Sequence, residues 1–344
     1  MVRPNFATLE DAPGKVKVLA FWCLGILAFW HFGFSILDFA WPRGPPSGAL
    51  STAPRSCYDA TRKGGEPKIQ NLQSKIHRHL PKLGQHFLHD QGYRARILEA
   101  LPLHPGDLVF EIGPGRGAMT TLLAGRARKV IAVEIDRALA QRLQEDFPQG
   151  SHVEIILADV LRVDFAALCR GEGVAQGFIF GNLPYYITSP ILHHLFAQRD
   201  SIRAMGLLMQ REVAERLTAA PGTRDYGYLT IATQVCSQPQ ITLAVPPGAF
   251  SPAPKVQSAL VTFRMKAKFD RWPRTTCDEF LDFVKRCFAQ KRKNLLNNLS
   301  SVYSRRRITQ ALEEAGKPAN LRAEQLSTEE LAGVFEHLTR SREN

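Results

Sequence analysis

Cysteine is scarce and scattered in this chain. The six residues, at 23, 57, 169, 236, 277 and 287, include no C-x-x-C pair and no histidines at matching spacing. That pattern argues against a zinc module and, in a chain of 344 residues, against a disulfide framework. The thiols read as ordinary reduced side chains of a cytoplasmic protein, and no metal is expected. His193-His194, in a helical stretch, reads as structural rather than ligating. Acidic charge is also in short supply: 32 Asp+Glu face 44 Lys+Arg, a net charge of +12. A polyanionic partner fits that balance.

What is present concentrates at strand ends. The apolar run Gly177-Phe178-Ile179-Phe180 leads directly into Asn182-Leu183-Pro184-Tyr185. This places a carboxamide, a stiffened backbone and an aromatic face where a strand stops. Such a group suits a planar base that carries an exocyclic amine. Adenine N6 is a poor nucleophile because its lone pair is delocalised into the ring. Acceptance of both N–H bonds, by the Asn182 side-chain oxygen and a backbone carbonyl near Leu183, would draw that nitrogen towards a tetrahedral geometry. Tyr185 would stack on the base, a contact worth roughly 1–3 kcal/mol. The plain alternative is a strand followed by a proline turn with Tyr185 packed.

Upstream, Leu108-Val109-Phe110-Glu111-Ile112 enters Gly113-Pro114-Gly115-Arg116-Gly117, and a helix is predicted from Ala118 to about Ala127. Strand, glycine turn and helix open a nucleotide-binding βαβ unit, in which glycine lets the backbone approach a ligand. The next predicted strand, Val130 to Ile135, carries Glu134, suitably placed to grip ribose hydroxyls. A third, Val153 to Ala158, ends at Asp159, suited to an adenine amino group. The fourth ends at Asn182. Four successive strands thus each deliver a polar residue near a carboxyl end, where open α/β sheets bind ligands. Gly113-x-Gly115-x-x-Ala118 also satisfies a loosened dinucleotide fingerprint, so a nicotinamide enzyme competes on that loop alone. Glu111, two residues before the first glycine, completes E-x-G-x-G-x-G, the pattern of S-adenosylmethionine-dependent methyltransferases. No hydride-transfer constellation accounts for Asn-Leu-Pro-Tyr.

From about Lys82 onward the chain resembles the rRNA adenine N6-dimethyltransferases. The resemblance is carried by Lys82-Leu83-Gly84-Gln85-His86-Phe87-Leu88, by Glu111 to Gly115, and by Asn182 to Thr188. Gln210-Arg211-Glu212-Val213, Tyr226-Gly227-Tyr228-Leu229, Val245 to Val256 and Phe288 to Lys293 extend it. The Val-Pro-Pro and Phe-x-Gln-Lys-Arg-Lys segments favour the small-subunit branch, which dimethylates two adjacent adenosines in a hairpin loop near the 3′ end of small-subunit rRNA. The resemblance implies a Rossmann-like class I methyltransferase α/β sheet with a smaller C-terminal all-helical domain. By position it assigns S-adenosylmethionine contacts to His86, Leu88, Gly113, Glu134, Asp159 and Asn182, with Gly115 in the same turn. His86 stands where many relatives have Asn. Asn182, Leu183 and Tyr185 become the target-base residues, and Phe250 would close the other face of the flipped adenine. A monomer acting on rRNA in the pre-30S particle is implied, with no protein partner. A non-catalytic rRNA-binding assembly or transcription factor on the same fold is the alternative; the intact glycine turn, Glu134, Asp159 and Asn182 argue against it. A membrane-tethered methyltransferase of another substrate is the second.

Basic charge clusters at Lys285, Arg286, Lys291, Arg292 and Lys293, then at Arg305, Arg306 and Arg307. Such runs are often solvated helix faces; beside an adenine site they read as tracking phosphates. The predicted organisation is an extension over 1–81, a methyltransferase domain over 82–262 and a helical rRNA-binding domain over 263–344. A helix is predicted from Asp90 through Leu101. Late strands are predicted at Val235 to Cys236 and Val256 to Phe263. Helices are expected over Glu279 to Phe288, Arg305 to Ala315 and Ser327 to Leu338, the last opened by a Ser327–Glu330 capping box.

The extension holds a bilayer-length apolar run, Val18 to Leu37, followed by a Pro/Gly/Ser-rich tract from Pro42 to Pro67. It reads in three ways: a membrane anchor, an organellar targeting segment, or translation from an upstream start. The third is preferred, with residues 1–75 expected to be disordered or an isolated helix.

Overall fold

A computed structural model describes residues 85–340. The apolar run at 18–37 and the tract that follows it lie outside the described residues, as do all expectations about them. Among the described residues no helix is long and apolar enough to cross a membrane.

The described residues open with a two-residue strand, β1 (Phe87–Leu88), and helix α1 (Gln91–Ala100). Asp90 caps α1 by accepting from the Tyr93 amide. Four parallel β-α units follow: β2 (Leu108–Ile112), α2 (Thr120–Ala124), β3 (Lys129–Glu134), α3 (Arg137–Asp146), β4 (Val153–Leu157), α4 (Phe165–Gly171), β5 (Gly177–Asn182) and α5 (Thr188–Ala197). Next come β6 (Ile202–Gln210), α6 (Arg211–Leu217), α7 (Tyr228–Cys236), β7 (Ser237–Val245), β8 (Phe250–Ser251) and β9 (Ser258–Met265). Helices α8 (Arg274–Cys287), α9 (Leu295–Leu299), α10 (Arg305–Glu314) and α11 (Thr328–Arg340) complete the order.

Seven strands form one sheet in the order β4-β3-β2-β5-β6-β9-β7. Its first five strands are parallel; β9 runs antiparallel to both β6 and β7. β1 and β8 pair separately, Phe87 with Ser251 and Leu88 with Phe250. All five residues of β2 are buried, because helices cover both faces of the sheet. Phe110 packs into the layer under α4 and α5 with Phe165 and Ile191. Val109 packs oppositely, with Ile97 of α1 and Leu123 of α2. A third cluster gathers Phe280, Phe283, Leu312 and Phe335 from α8, α10 and α11, together with Tyr226 and with Ile231 and Val235 of α7.

Two local expectations are corrected, and one strand lies outside them. Val235 and Cys236 are not a strand but the last two residues of α7; the chain becomes extended at Ser237. The helix after the glycine turn is short, Thr120–Ala124 rather than Ala118 to Ala127, because residues up to Met119 are spent in turns. The central strand β6 was not anticipated. Its Ala, Met, Leu and Gly content is weakly strand-forming, and burial on both faces erases alternation. Gly206 is required there, since a Cβ would lie 2.1 Å from Cδ2 of Leu101.

Candidate active site

A cleft of about 280 Å³ opens at the carboxyl ends of β2, β3, β4 and β5, closed on one side by Gln85 to His89. Parallel strands end here on one edge, so their last side chains converge. The floor is the glycine turn. Gly113, Gly115 and Gly117 have φ of 66°, 60° and 76°, a conformation that costs any other residue about 1–2 kcal/mol. Gly115 has a second constraint: a Cβ there would stand 2.9 Å from the Phe87 ring, so β1 seats directly on the turn. The Arg116 guanidinium lies over the other part of that wall, 4.8 Å from the Phe87 ring centre.

Glu134 ends β3, 2% exposed. Its Oε2 accepts from the Gly115 amide at 3.1 Å, and Oε1 accepts from the Ile135 and Asp136 amides, both at 2.9 Å. One carboxylate therefore ties the strand end to the glycine turn. Burial pushes its pKa up, and the three amides oppose that shift. Glu111, in β2, is more extreme. It is 2% exposed, Oε2 has no hydrogen-bond partner, and burial pushes its pKa up to about 7, with the Thr120 hydroxyl opposing and Glu134 adding to the rise. Asp159 lines the cleft after β4 and accepts from the Leu161 amide at 3.0 Å.

Asn182 ends β5 and lines the same cleft. Its Nδ2 donates to the His86 carbonyl at 2.8 Å, which sets the amide's orientation and keeps Oδ1 as the acceptor. His86 itself is a junction. Its Nδ1 lies 2.7 Å from the Pro252 carbonyl, and its ring stacks on Tyr185 with centroids 5.5 Å apart at 27°. The Tyr185 hydroxyl is 2.9 Å from Oγ of Ser258, which fixes the ring from the side of β9. Leu183 is buried and donates its amide to Leu208, so the loop stays in register with β6. The Pro184 carbonyl is occupied by the Ile187 amide and the Thr188 hydroxyl.

The structure thus gathers His86, Leu88, Gly113, Gly115, Glu134, Asp159, Asn182, Leu183 and Tyr185 around one cleft. Phe250 is elsewhere. Its side chain is 2% exposed in the core layer with Leu88 and Ala249 and is not among the cleft-lining residues. The strand pairing of β8 with β1 turns it inward. Sequence reasoning missed Arg94 and Tyr186, which both line the cleft. Arg94 gave no signal, because one arginine on a surface helix reads as solvated. Tyr186, 59% exposed, was masked by the motif it follows.

Among the basic residues, Arg292, Lys293, Arg305 and Arg306 are exposed, on the turn after α8 and at the start of α10. Lys291 is partly committed: Nζ donates to the Arg224 carbonyl and lies 3.9 Å from Glu324. Arg305 donates to Asn297, and Arg307 is turned inward to the Leu338 carbonyl. The four described cysteines, 169, 236, 277 and 287, are buried and free. Among the described residues no group of His, Cys, Asp or Glu could hold a metal ion.

A glycine-turned parallel sheet with carboxylates on successive strand ends and Asn-Leu-Pro-Tyr at the next is the arrangement of a class I methyltransferase. Residues 76–340 match the family described as ribosomal RNA adenine dimethylase. The chain is 44% identical over 274 residues to "Ribosomal RNA small subunit methyltransferase A" of Acidobacterium capsulatum, covering 79% of this chain and 95% of that protein. It is 40% identical to the protein of the same name from Koribacter versatilis, covering 75% and 93%. Among solved structures, the 23S rRNA methyltransferase ErmE aligns with a TM-score of 0.57 and 30% identity, over 74% of this chain and 99% of that one. A dimethyladenosine transferase from Plasmodium falciparum shares the fold, with a TM-score of 0.63 at 23% identity, over 75% and 98%. The chain belongs to the ribosomal RNA adenine dimethylase family.

Proposed function

We propose that this protein transfers methyl groups from S-adenosylmethionine to N6 of two adjacent adenosines in a hairpin loop near the 3′ end of small-subunit rRNA. The observation that carries the reading is the fixed Asn182 amide: with Nδ2 held by the His86 carbonyl, Oδ1 is the acceptor left at the cleft.

The residues fit the donor. The glycine turn leaves room for a ligand against backbone, Glu134 and Asp159 offer carboxylates at the β3 and β4 ends, and Glu111 keeps a buried oxygen unpaired. When bound, S-adenosylmethionine supplies an electrophilic sulfonium methyl. The protein's part is positioning and acceptor dipoles. Asn182 Oδ1 and the Leu183 carbonyl accept from the two N–H bonds of the target amine and draw its lone pair out of conjugation. Tyr185, held by Ser258, stacks on the base. Phe250 supports from the core, through the β1–β8 pair that holds Leu88 in place. No general base is required, because the amine becomes strongly acidic once it carries the new methyl. The base must leave its stack, which costs a few kcal/mol, less in a loop than in a duplex.

Arg292, Lys293, Arg305 and Arg306 track the rRNA phosphates. The enzyme acts as a monomer in the cytoplasm, on the pre-30S particle. The test is incubation of the purified full-length chain with labelled donor and undermethylated small subunits, followed by mapping. Dimethylation of two neighbouring adenosines is expected. Label at another nucleotide, or none, overturns the reading.

A further inference from the structure

The cleft walls carry three acids, Glu111, Glu134 and Asp159, and two arginines, Arg94 and Arg116. The arginines differ. Arg116 is exposed and rests over the Phe87 ring. Arg94 is half-buried on the first turns of α1; its Nη2 donates to the His89 carbonyl, while its Nε is buried without a partner. No carboxylate among the described residues pairs with it. A buried guanidinium N–H left unpaired is costly, so its retention calls for an explanation.

Position supplies one. Helix α1 packs against β7, beyond β6 in the sheet, and Leu101, directly after the helix, fills the space over Gly206 of β6. Glu134 and Asp159 stand on the other side, after β3 and β4. A ligand whose nucleoside half is held by those two carboxylates runs its other end towards Arg94. S-Adenosylmethionine has a single anionic group at that end, its amino-acid carboxylate.

We infer that Arg94 is a donor-binding residue of this chain, the cation that receives the carboxylate of S-adenosylmethionine. The inference rests on the donor reading above, not on the identity of the RNA. Guanidinium N–H groups match a carboxylate in geometry and charge, and a wall that excludes water strengthens the pairing. The same contact discriminates against donors that lack the carboxylate.

Calorimetric titration of the full chain with S-adenosylhomocysteine and with its decarboxylated analogue, the same thioether lacking only the carboxylate, tests this without catalysis. The wild-type protein should bind the first more tightly. Arg94→Gln should lose roughly tenfold or more in affinity for S-adenosylhomocysteine while binding the decarboxylated compound within about twofold of wild type. Arg94→Lys should recover part of the loss, and Arg96→Gln, exposed on the same helix and outside the cleft, should change neither. Unchanged binding of S-adenosylhomocysteine by Arg94→Gln, or equal losses for both compounds, overturns the assignment. If Arg94→Gln does not fold, the wild-type preference and Arg94→Lys decide: a wild type that does not distinguish the two ligands overturns it. A wild-type chain that binds neither compound overturns the donor reading itself; failure to methylate rRNA with ligand binding intact touches only the RNA reading.

Discussion

A primary amide has two ends, and only one can serve as acceptor for an adenine amine. In this chain the choice is made by a backbone carbonyl, that of His86, which takes the Nδ2 end of Asn182. The His86 side chain does separate work, bridging Pro252 and the face of Tyr185. An Asn at this position would keep the carbonyl and lose only the ring. Asn182→Ala should lower the transfer rate roughly 10²-fold or more, the scale of one preorganised polar group at a reacting centre. S-Adenosylhomocysteine binding should remain measurable by calorimetry, and near-normal turnover would remove Asn182 from its role. At Tyr185 the ring face matters more than the hydroxyl, so Tyr185→Phe should retain more activity than Tyr185→Ala; single-turnover rates that fall equally would contradict stacking.

Glu111 supplies a prediction in pH. Its folded pKa, about 7, lies above the ordinary 4.5, so the native state keeps a proton that the unfolded chain releases. Stability from this group is therefore present below 4.5, falls as pH rises through 4.5 to 7, and is gone above that window. The loss is on the order of 3 kcal/mol, at about 1.4 kcal/mol per pKa unit. Glu111→Gln, neutral throughout, should flatten the decline. Urea unfolding of ligand-free protein at pH 5 and pH 8 measures it; parallel declines in the two proteins would refute the assignment.

At the scale of elements, the glycine turn and β1 act as one piece. Gly115 combines a φ of 60° with a Cβ position 2.9 Å from Phe87, so Gly115→Ala must strain the turn and displace β1 together. A destabilisation of about 1–2 kcal/mol from the backbone alone is expected. The displaced strand carries His86's neighbour Phe87 and Leu88, so donor affinity should fall with the melting temperature. A variant that melts lower yet binds S-adenosylhomocysteine normally would show that β1 and the cleft are independent. The capping box illustrates an element read correctly from four residues: the Ser327 amide donates to Glu330, and the Glu330 amide donates back to Oγ of Ser327. That motif is local and survives any tertiary arrangement. The strand assigned to Val235 and Cys236 failed for the opposite reason. β-Branched Val235 suits a strand, but the apolar surface of α7 reaches two separate core clusters, and packing keeps both residues helical.

For the molecule as a whole, the basic excess resolves into residues that are free and residues that are engaged. Arg292, Lys293 and Arg306 are exposed, whereas Lys291 and Arg307 are tied to backbone carbonyls. Replacing the first three by Gln should weaken rRNA binding and reduce the salt dependence by about two to three counterions. S-Adenosylhomocysteine affinity should not change. Filter binding of small-subunit rRNA at several salt concentrations checks this, and an unaltered slope would move the phosphate track elsewhere.

Glycines, strand-end carboxylates and Asn-Leu-Pro-Tyr were legible in the amino-acid order, because each depends on a few neighbouring residues whose backbone needs are local. The parallel unit β2 to β5 followed from them, and so did the nine cleft residues from His86 to Tyr185 named above. Residues brought together by non-local packing were not legible: the inward turn of Phe250, the anchoring of Tyr185 by Ser258, the strand β6, and the delivery of Arg94 by α1. Each is decided by contacts between segments distant in the chain, and a side chain's direction at such a contact depends on the partner surface rather than on its own neighbours.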